Sequence, residues 1–146
     1  MGNSMMFTRT CILALLILPA GCEFSNQTSD LDIKSVQLGQ LRQMLGGDGE
    51  WHKKSPTVLV DVRSTARFEK GHIPQAINIP IMDLVSAHPR LSDAYNIVVY
   101  ASGWTDALSG AAYKKLLALG YKNVYDFRGG LEVWEAQGLK VEERQG

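Results

Sequence analysis

The sequence predicts an α/β domain in which a central parallel sheet is covered by helices on both faces. From Leu31 onward, short apolar runs alternate with segments of helical periodicity, the pattern of strand–helix units in a parallel sheet. Two of the runs, Thr57-Val-Leu-Val-Asp-Val-Arg63 and Ile97-Val-Val-Tyr100, are near-continuously apolar, as strands buried on both faces are. A chain of 146 residues with 45% hydrophobic content can bury one core and is too short for a second domain.

Taken in order, residues 31–34 read as a short edge strand. Leu38, Leu41 and Leu45 mark one face of a helix that ends at Gly46-Gly47, and a loop runs on to Pro56. The strand over 57–63 is central. Ser64 and Thr65 then cap a short helix that reaches Lys70 and stops at Gly71. Ala76-Ile-Asn-Ile-Pro80 is a second strand whose proline puts its end at an edge or exit. Ile81, Leu84 and Val85 recur at helical spacing within 81–91, with Pro89 as terminator. After the strand over 97–100, Leu108, Ala112, Leu116 and Leu119 form one helical stripe, ordinary core, that ends at Gly120. Asn123-Val-Tyr-Asp-Phe127 is the last strand, and a final amphipathic helix starts near Gly130.

The first 21 residues read as a bacterial export signal. Arg9 supplies the positive start, residues 11–18 are uninterruptedly apolar, and Ala20-Gly21 are small. The run is shorter than the about 20 apolar residues a spanning helix needs. Residues 22–30 have the polar composition of a flexible tether, leaving 31–146 as the domain. The charges balance at 15 basic and 15 acidic, and the signal removes only Arg9, so a nucleic-acid partner is not expected. His52, Lys53 and Lys54 read as a solvated loop cluster.

Between the strand at 97–100 and the helix from Leu108 lies a loop of small residues: Ala101, Ser102, Gly103, Trp104, Thr105, Asp106 and Ala107. A loop that joins a buried strand to a helix N-terminus aims backbone N–H groups at one spot, which suits an anion or a thiolate nucleophile. This loop has no thiol. The chain's cysteines are Cys11 and Cys22, both within the first 22 residues.

Several motifs carry a resemblance. Asp61-Val-Arg63, Phe68-Glu-Lys-Gly71-His72-Ile-Pro74 and Ala76-Ile-Asn-Ile-Pro80 are similar to the first signature of the rhodanese-like family. Gly120-Tyr-Lys-Asn-Val-Tyr125 and Gly129-Gly130-Leu-Glu-Val-Trp134, with Gly138 beyond, resemble its second. The resemblance covers residues 31–141. It implies a three-layer α/β domain with a parallel sheet of about five strands and an active loop at the carboxyl end of one strand. In active members the residue after the Val-Val-Tyr strand is a cysteine that takes up sulfane sulfur from thiosulfate or another donor, and loop amides cradle the persulfide. Here it is Ala101. Asp106 falls where many members carry an arginine or lysine for the anionic substrate, so the charge is reversed. An aspartate there occupies the helix's positive potential and acts as a built-in anion. Ala107 stands where some relatives have a second cysteine, so neither a dithiol nor a metal pair is expected, and no cofactor is implied. Leu18-Pro-Ala-Gly-Cys22 resembles the lipobox of bacterial lipoproteins, with Pro19 at the usual leucine position and Leu18 one place further back. It implies a lipidated, palmitate-bearing Cys22 at the mature N-terminus.

His72 reads as part of a structural turn, and Asp61 with Arg63 as a polar pair fixing the turn after a buried strand. Trp104 either packs over the sulfur pocket or is presented to a partner. The functional expectation is a catalytically silent rhodanese-like module, lipid-anchored in the bacterial cell envelope and facing the periplasm or the cell exterior. It would bind a protein partner or a small anion through this loop. The alternative is an active thiosulfate or persulfide sulfurtransferase with a borrowed thiol or a non-standard nucleophile such as Ser102, which has no adjacent histidine in the motif to activate it. A phosphatase-like enzyme on the same fold would need the cysteine and a loop arginine.

Overall fold

The structure, a computed structural model, describes residues 32–46 and 55–144. The signal, Cys11, Cys22, the tether, Leu31, Gly47 and the His52–Lys54 cluster lie outside the described residues. Among the described residues four strands form one all-parallel sheet: β1 (Thr57–Asp61), β2 (Ile77–Asn78), β3 (Asn96–Tyr100) and β4 (Val124–Phe127), in the order β2-β1-β3-β4. The helices are α1 (Leu38–Leu45), α2 (Thr65–Lys70), α3 (Leu108–Ala118) and α4 (Gly130–Ala136).

Strand parity explains the layers. Val60, Val62, Ile97, Val99 and Val124 project to the side of α3, where they pack with Ala112, Tyr113 and Leu116. Leu59, Val98, Tyr100 and Phe127 project to the other side, against Leu41 of α1 and Leu131 and Trp134 of α4. Both sides are closed to water, which is why Val58–Val60 of β1 and Ile97–Tyr100 of β3 are continuously apolar rather than alternating.

Two expectations are corrected. The edge strand over 31–34 is, within the described residues, a single parallel bridge between Ser35 and Asp126. It is held by Val36 N–H to the Asp126 carbonyl at 3.0 Å and Asp126 N–H to the Lys34 carbonyl at 2.9 Å, so the sheet has four strands among the described residues rather than about five. The helix over 81–91 is two 3-10 turns, Ile81–Asp83 and Pro89–Leu91. Ala87 takes a left-handed φ of 52° between them, and Pro89 forbids helical backbone at His88. Leu84 still reaches the core while Val85 is half exposed. The remaining boundaries shift by a few residues: β1 stops at Asp61 because Asp61 and Arg63 start the following turn, and β2 shrinks to two residues.

Candidate functional site

The site is assembled at the carboxyl end of β3 from the loop over 101–107, the first turn of α3 and the start of α4. Ala101 continues the β3 parity into the α3-side core and is 1% exposed. Its carbonyl accepts from the Leu131 N–H at 3.1 Å, and the Ser102 carbonyl accepts from the Glu132 N–H at 2.9 Å, so the first turn of α4 is bonded directly to the loop. This approach needs Gly130. Its φ is +56°, and a Cβ there would lie 2.9 Å from the Gly103 amide nitrogen and nearer still to the Ala101 carbonyl oxygen. Gly103 likewise leaves room for the Glu132 side chain, whose Cβ would be 2.8 Å from any Cβ at that position.

Asp106 organises the rest of the loop. Its N–H donates to the Gly103 carbonyl at 3.0 Å. Its Oδ1 accepts from the Leu108 N–H at 3.0 Å and its Oδ2 from the Ser102 N–H at 3.3 Å. Ala107, which flanks α3, has helical dihedrals and no capping side chain, so Asp106 supplies the acceptor from one residue earlier. Burial pushes the Asp106 carboxyl up. The Leu108 N–H, the Ser102 hydroxyl and N–H, and the charge of Arg67 outweigh it and hold the group below the ordinary aspartate value. The Asp106 carboxylate thus takes up one amide of the loop, Ser102, and one of the first turn of α3, Leu108. Trp104 is 52% exposed, so about half of its surface is open to solvent. Thr105 and Ala107 are exposed beside it, Ser102 is partly buried, and Gly103 is buried.

The signature residues behind the loop bond to one another and to the surrounding backbone. Arg63 Nη2 donates to Asp61 Oδ2 at 2.6 Å and to the Gly71 carbonyl at 2.7 Å, while Arg63 Nε bridges both Asp61 oxygens. Burial works against the Arg63 charge, but the Asp61 carboxylate, with a smaller contribution from Tyr100, more than offsets this and raises its pKa. The Tyr100 hydroxyl accepts from the Ile73 N–H at 3.1 Å, and burial followed by the nearby Asp61 charge pushes its titration far up. His72 stacks on Phe68 with centroids 3.7 Å apart. Its Nδ1 sits 2.8 Å from the Phe68 carbonyl, which can only accept, so the proton is on Nδ1. His72 also pairs through its backbone with Glu142. Pro74 belongs to the turn that follows, where Ala76 N–H closes on the Ile73 carbonyl at 3.1 Å. Gly129 precedes Gly130 at the start of α4, and Trp134 donates from Nε1 to the Lys140 carbonyl at 2.8 Å.

Sequence reasoning missed Glu132 and Arg67. The signal for Glu132 was its place in the first turn of α4, but only the packing of α4 on the loop brings it to Gly103. Arg67 comes from α2 and acts on Asp106 by charge. Among the described residues there is no group of three or more His, Cys, Asp or Glu able to hold a metal ion, and no helix long and apolar enough to cross a membrane.

A strand, a small-residue loop and a helix at the carboxyl edge of a four-stranded parallel sheet, backed by an Asp-Val-Arg turn and a double glycine, define a rhodanese-type domain. Residues 38–137 match the sequence model of the Rhodanese family, described as the rhodanese-like domain, and the chain belongs to that family. It is 30% identical over 84 residues to the thiosulfate sulfurtransferase GlpE of Pseudomonas savastanoi pv. phaseolicola and 29% identical over 84 residues to a sulfurtransferase of Allochromatium vinosum. Each match spans 58% of this chain and 77% of the relative. Among solved structures, the BH2092 protein of Bacillus halodurans superposes with a TM-score of 0.64 at 26% identity, over 75% of this chain and 77% of that one. The chain is therefore a rhodanese-like domain related to sulfurtransferases.

Proposed function

We propose that this protein is a catalytically silent rhodanese-like module, held at the bacterial envelope by lipid on Cys22, that engages a protein partner through the loop over 101–107. The observation that carries the reading is the Asp106 carboxylate accepting from the Ser102 and Leu108 N–H groups beside Ala101. A persulfide route needs a sulfur nucleophile and free amides for its anion. Here a methyl group stands at the nucleophile position, and an internal carboxylate engages the Ser102 amide of the loop and the Leu108 amide at the start of α3. The same carboxylate disfavours a small anion as the loop's ligand by charge and by occupancy, whereas exposed Trp104 offers a protein partner a large apolar anchor. The lipobox-like Leu18-Pro-Ala-Gly-Cys22 and the polar stretch after it support an envelope tether.

The test is thiosulfate-to-cyanide sulfur transfer by the full chain in non-ionic detergent, beside Ala101→Cys and Ala101→Cys with Asp106→Arg. The native chain is expected to be inactive, and activity should emerge in the cysteine variants, more strongly in the double variant. Turnover by the native chain overturns the proposal and favours a borrowed thiol or Ser102 as nucleophile. Mass spectrometry of the mature N-terminus checks the lipid at Cys22.

A further inference from the structure

A cavity of about 450 Å³ opens at the end of the sheet opposite the loop, where β3 and β4 begin. Its floor is apolar, built from Leu91 and Ile97, each 3% exposed, with Ala94 beside them. Its lining includes His88, Lys122 and Asn123 and no aspartate or glutamate.

The Tyr121 and Ser92 hydroxyls on the wall are committed internally, whereas the hydroxyl of half-exposed Tyr95, also on the wall, has no partner among the described residues. The Tyr121 hydroxyl accepts from the His88 N–H at 2.8 Å and donates to the Val85 carbonyl at 3.2 Å, and the Ser92 hydroxyl donates to the Pro89 carbonyl at 2.9 Å. His88 Nδ1 accepts from the Arg90 N–H at 3.2 Å, which puts the ring proton on Nε2 and makes that nitrogen a donor. The Lys122 ammonium and the Asn123 side-chain amide have no partner among the described residues. Donors from His88, Asn123 and Tyr95 and the Lys122 cation thus border an apolar floor, and Asp93, which does not itself line the cavity, comes within 3.4 Å of the Ser92 hydroxyl through Oδ1. The turn on the rim is held under strain: Ala87 has φ 52°, a left-handed conformation that costs a non-glycine residue about 1 kcal/mol, and the two Tyr121 hydrogen bonds fix it.

We propose that this cavity is a binding site for a small organic anion, its anionic head held by His88 and Lys122 and its apolar body seated on Leu91, Ala94 and Ile97. The volume lies in the range of small-molecule sites and has room for a substituted benzene ring, and one charged head on an apolar body is the complement of this lining. The site is separate from the loop and does not depend on the function proposed for it.

The test titrates benzoate, and in parallel its neutral isostere benzamide, into the full chain in non-ionic detergent while backbone amide NMR shifts are followed. Benzoate should give saturable shifts at Ala94, Gly120 and Asn123 and leave residues 101–108 in place, with benzamide about tenfold weaker. Lys122→Gln, a change at an exposed residue, should weaken benzoate about tenfold, and Ala94→Leu should abolish its shifts by filling the floor. Absence of saturable shifts at millimolar benzoate, equal binding of benzamide, or unchanged benzoate binding by both variants overturns the proposal.

Discussion

Asp126 sits in the middle of the apolar row that faces α3, in register with Val99 of β3, which pairs in turn with Val60 of β1. The residue is 0% exposed, and neither carboxylate oxygen has a hydrogen-bond partner. Arg128 Nη1 stands 3.9 Å from Oδ2, a charge contact but not a hydrogen bond. Burial raises the Asp126 pKa, and the nearby Arg128 charge only partly opposes it. Replacing this group by the near-isosteric amide, Asp126→Asn, removes the buried charge. An uncompensated buried polar group costs about 1–3 kcal/mol, more when ionised. A partly exposed Arg128 returns at most about 1 kcal/mol of it. The variant should therefore gain about 1–2 kcal/mol at pH 8, a rise in Tm of about 5–10 °C for a domain of this size. The sign with pH follows from the raised folded-state value. The folded protein keeps its proton to higher pH than the unfolded chain, so native stability falls as pH rises from about 3.9, the ordinary aspartate value, through the raised one, and is level above it. The advantage of the Asp126→Asn variant should thus be full at pH 8 and vanish near pH 4. Urea denaturation of both proteins across this range measures it. A destabilised variant, or a gain that does not change with pH, would refute the reasoning.

Asp106→Ala should destabilise the domain by about 1 kcal/mol through loss of the α3 cap. Because the folded-state Asp106 pKa is lowered, that loss should be full above the ordinary aspartate range and fade as pH falls through the lowered value, as thermal melts at several pH values would show. Gly130→Ala should cost about 3 kcal/mol or more, combining left-handed strain with a Cβ driven into the loop backbone, and should shift the amide resonances of Ser102 and Gly103. Tyr100→Phe leaves the Ile73 N–H buried without its acceptor and should cost about 1–3 kcal/mol in denaturant titration.

Reading the strands from sequence worked because burial on both faces leaves a local mark: a run such as Ile97-Val-Val-Tyr100 has few other stable uses. The 81–91 segment misled because Ile81, Leu84 and Val85 carry helical spacing, while the backbone is governed by Pro80, Pro89 and the turn at Ala87, and by two Tyr121 hydrogen bonds from a residue more than thirty positions away. The edge strand failed for a related reason. A peripheral segment needs only a bridge to β4 to be held, and sequence does not record how far pairing extends.

The sequence by itself determined the fold class, the place of the loop, the alanine at its head and the aspartate at 106, because each is a property of residue type and spacing. Tertiary structure alone decided that the Asp106 carboxylate accepts from Ser102 and Leu108 N–H, that the first turn of α4 donates to the Ala101 and Ser102 carbonyls, that Glu132 comes to lie against Gly103, and that Trp104 faces solvent. Hydrogen bonds of this kind join groups brought together by folding, and their directions depend on how α3 and α4 pack on the sheet rather than on any periodicity along the chain.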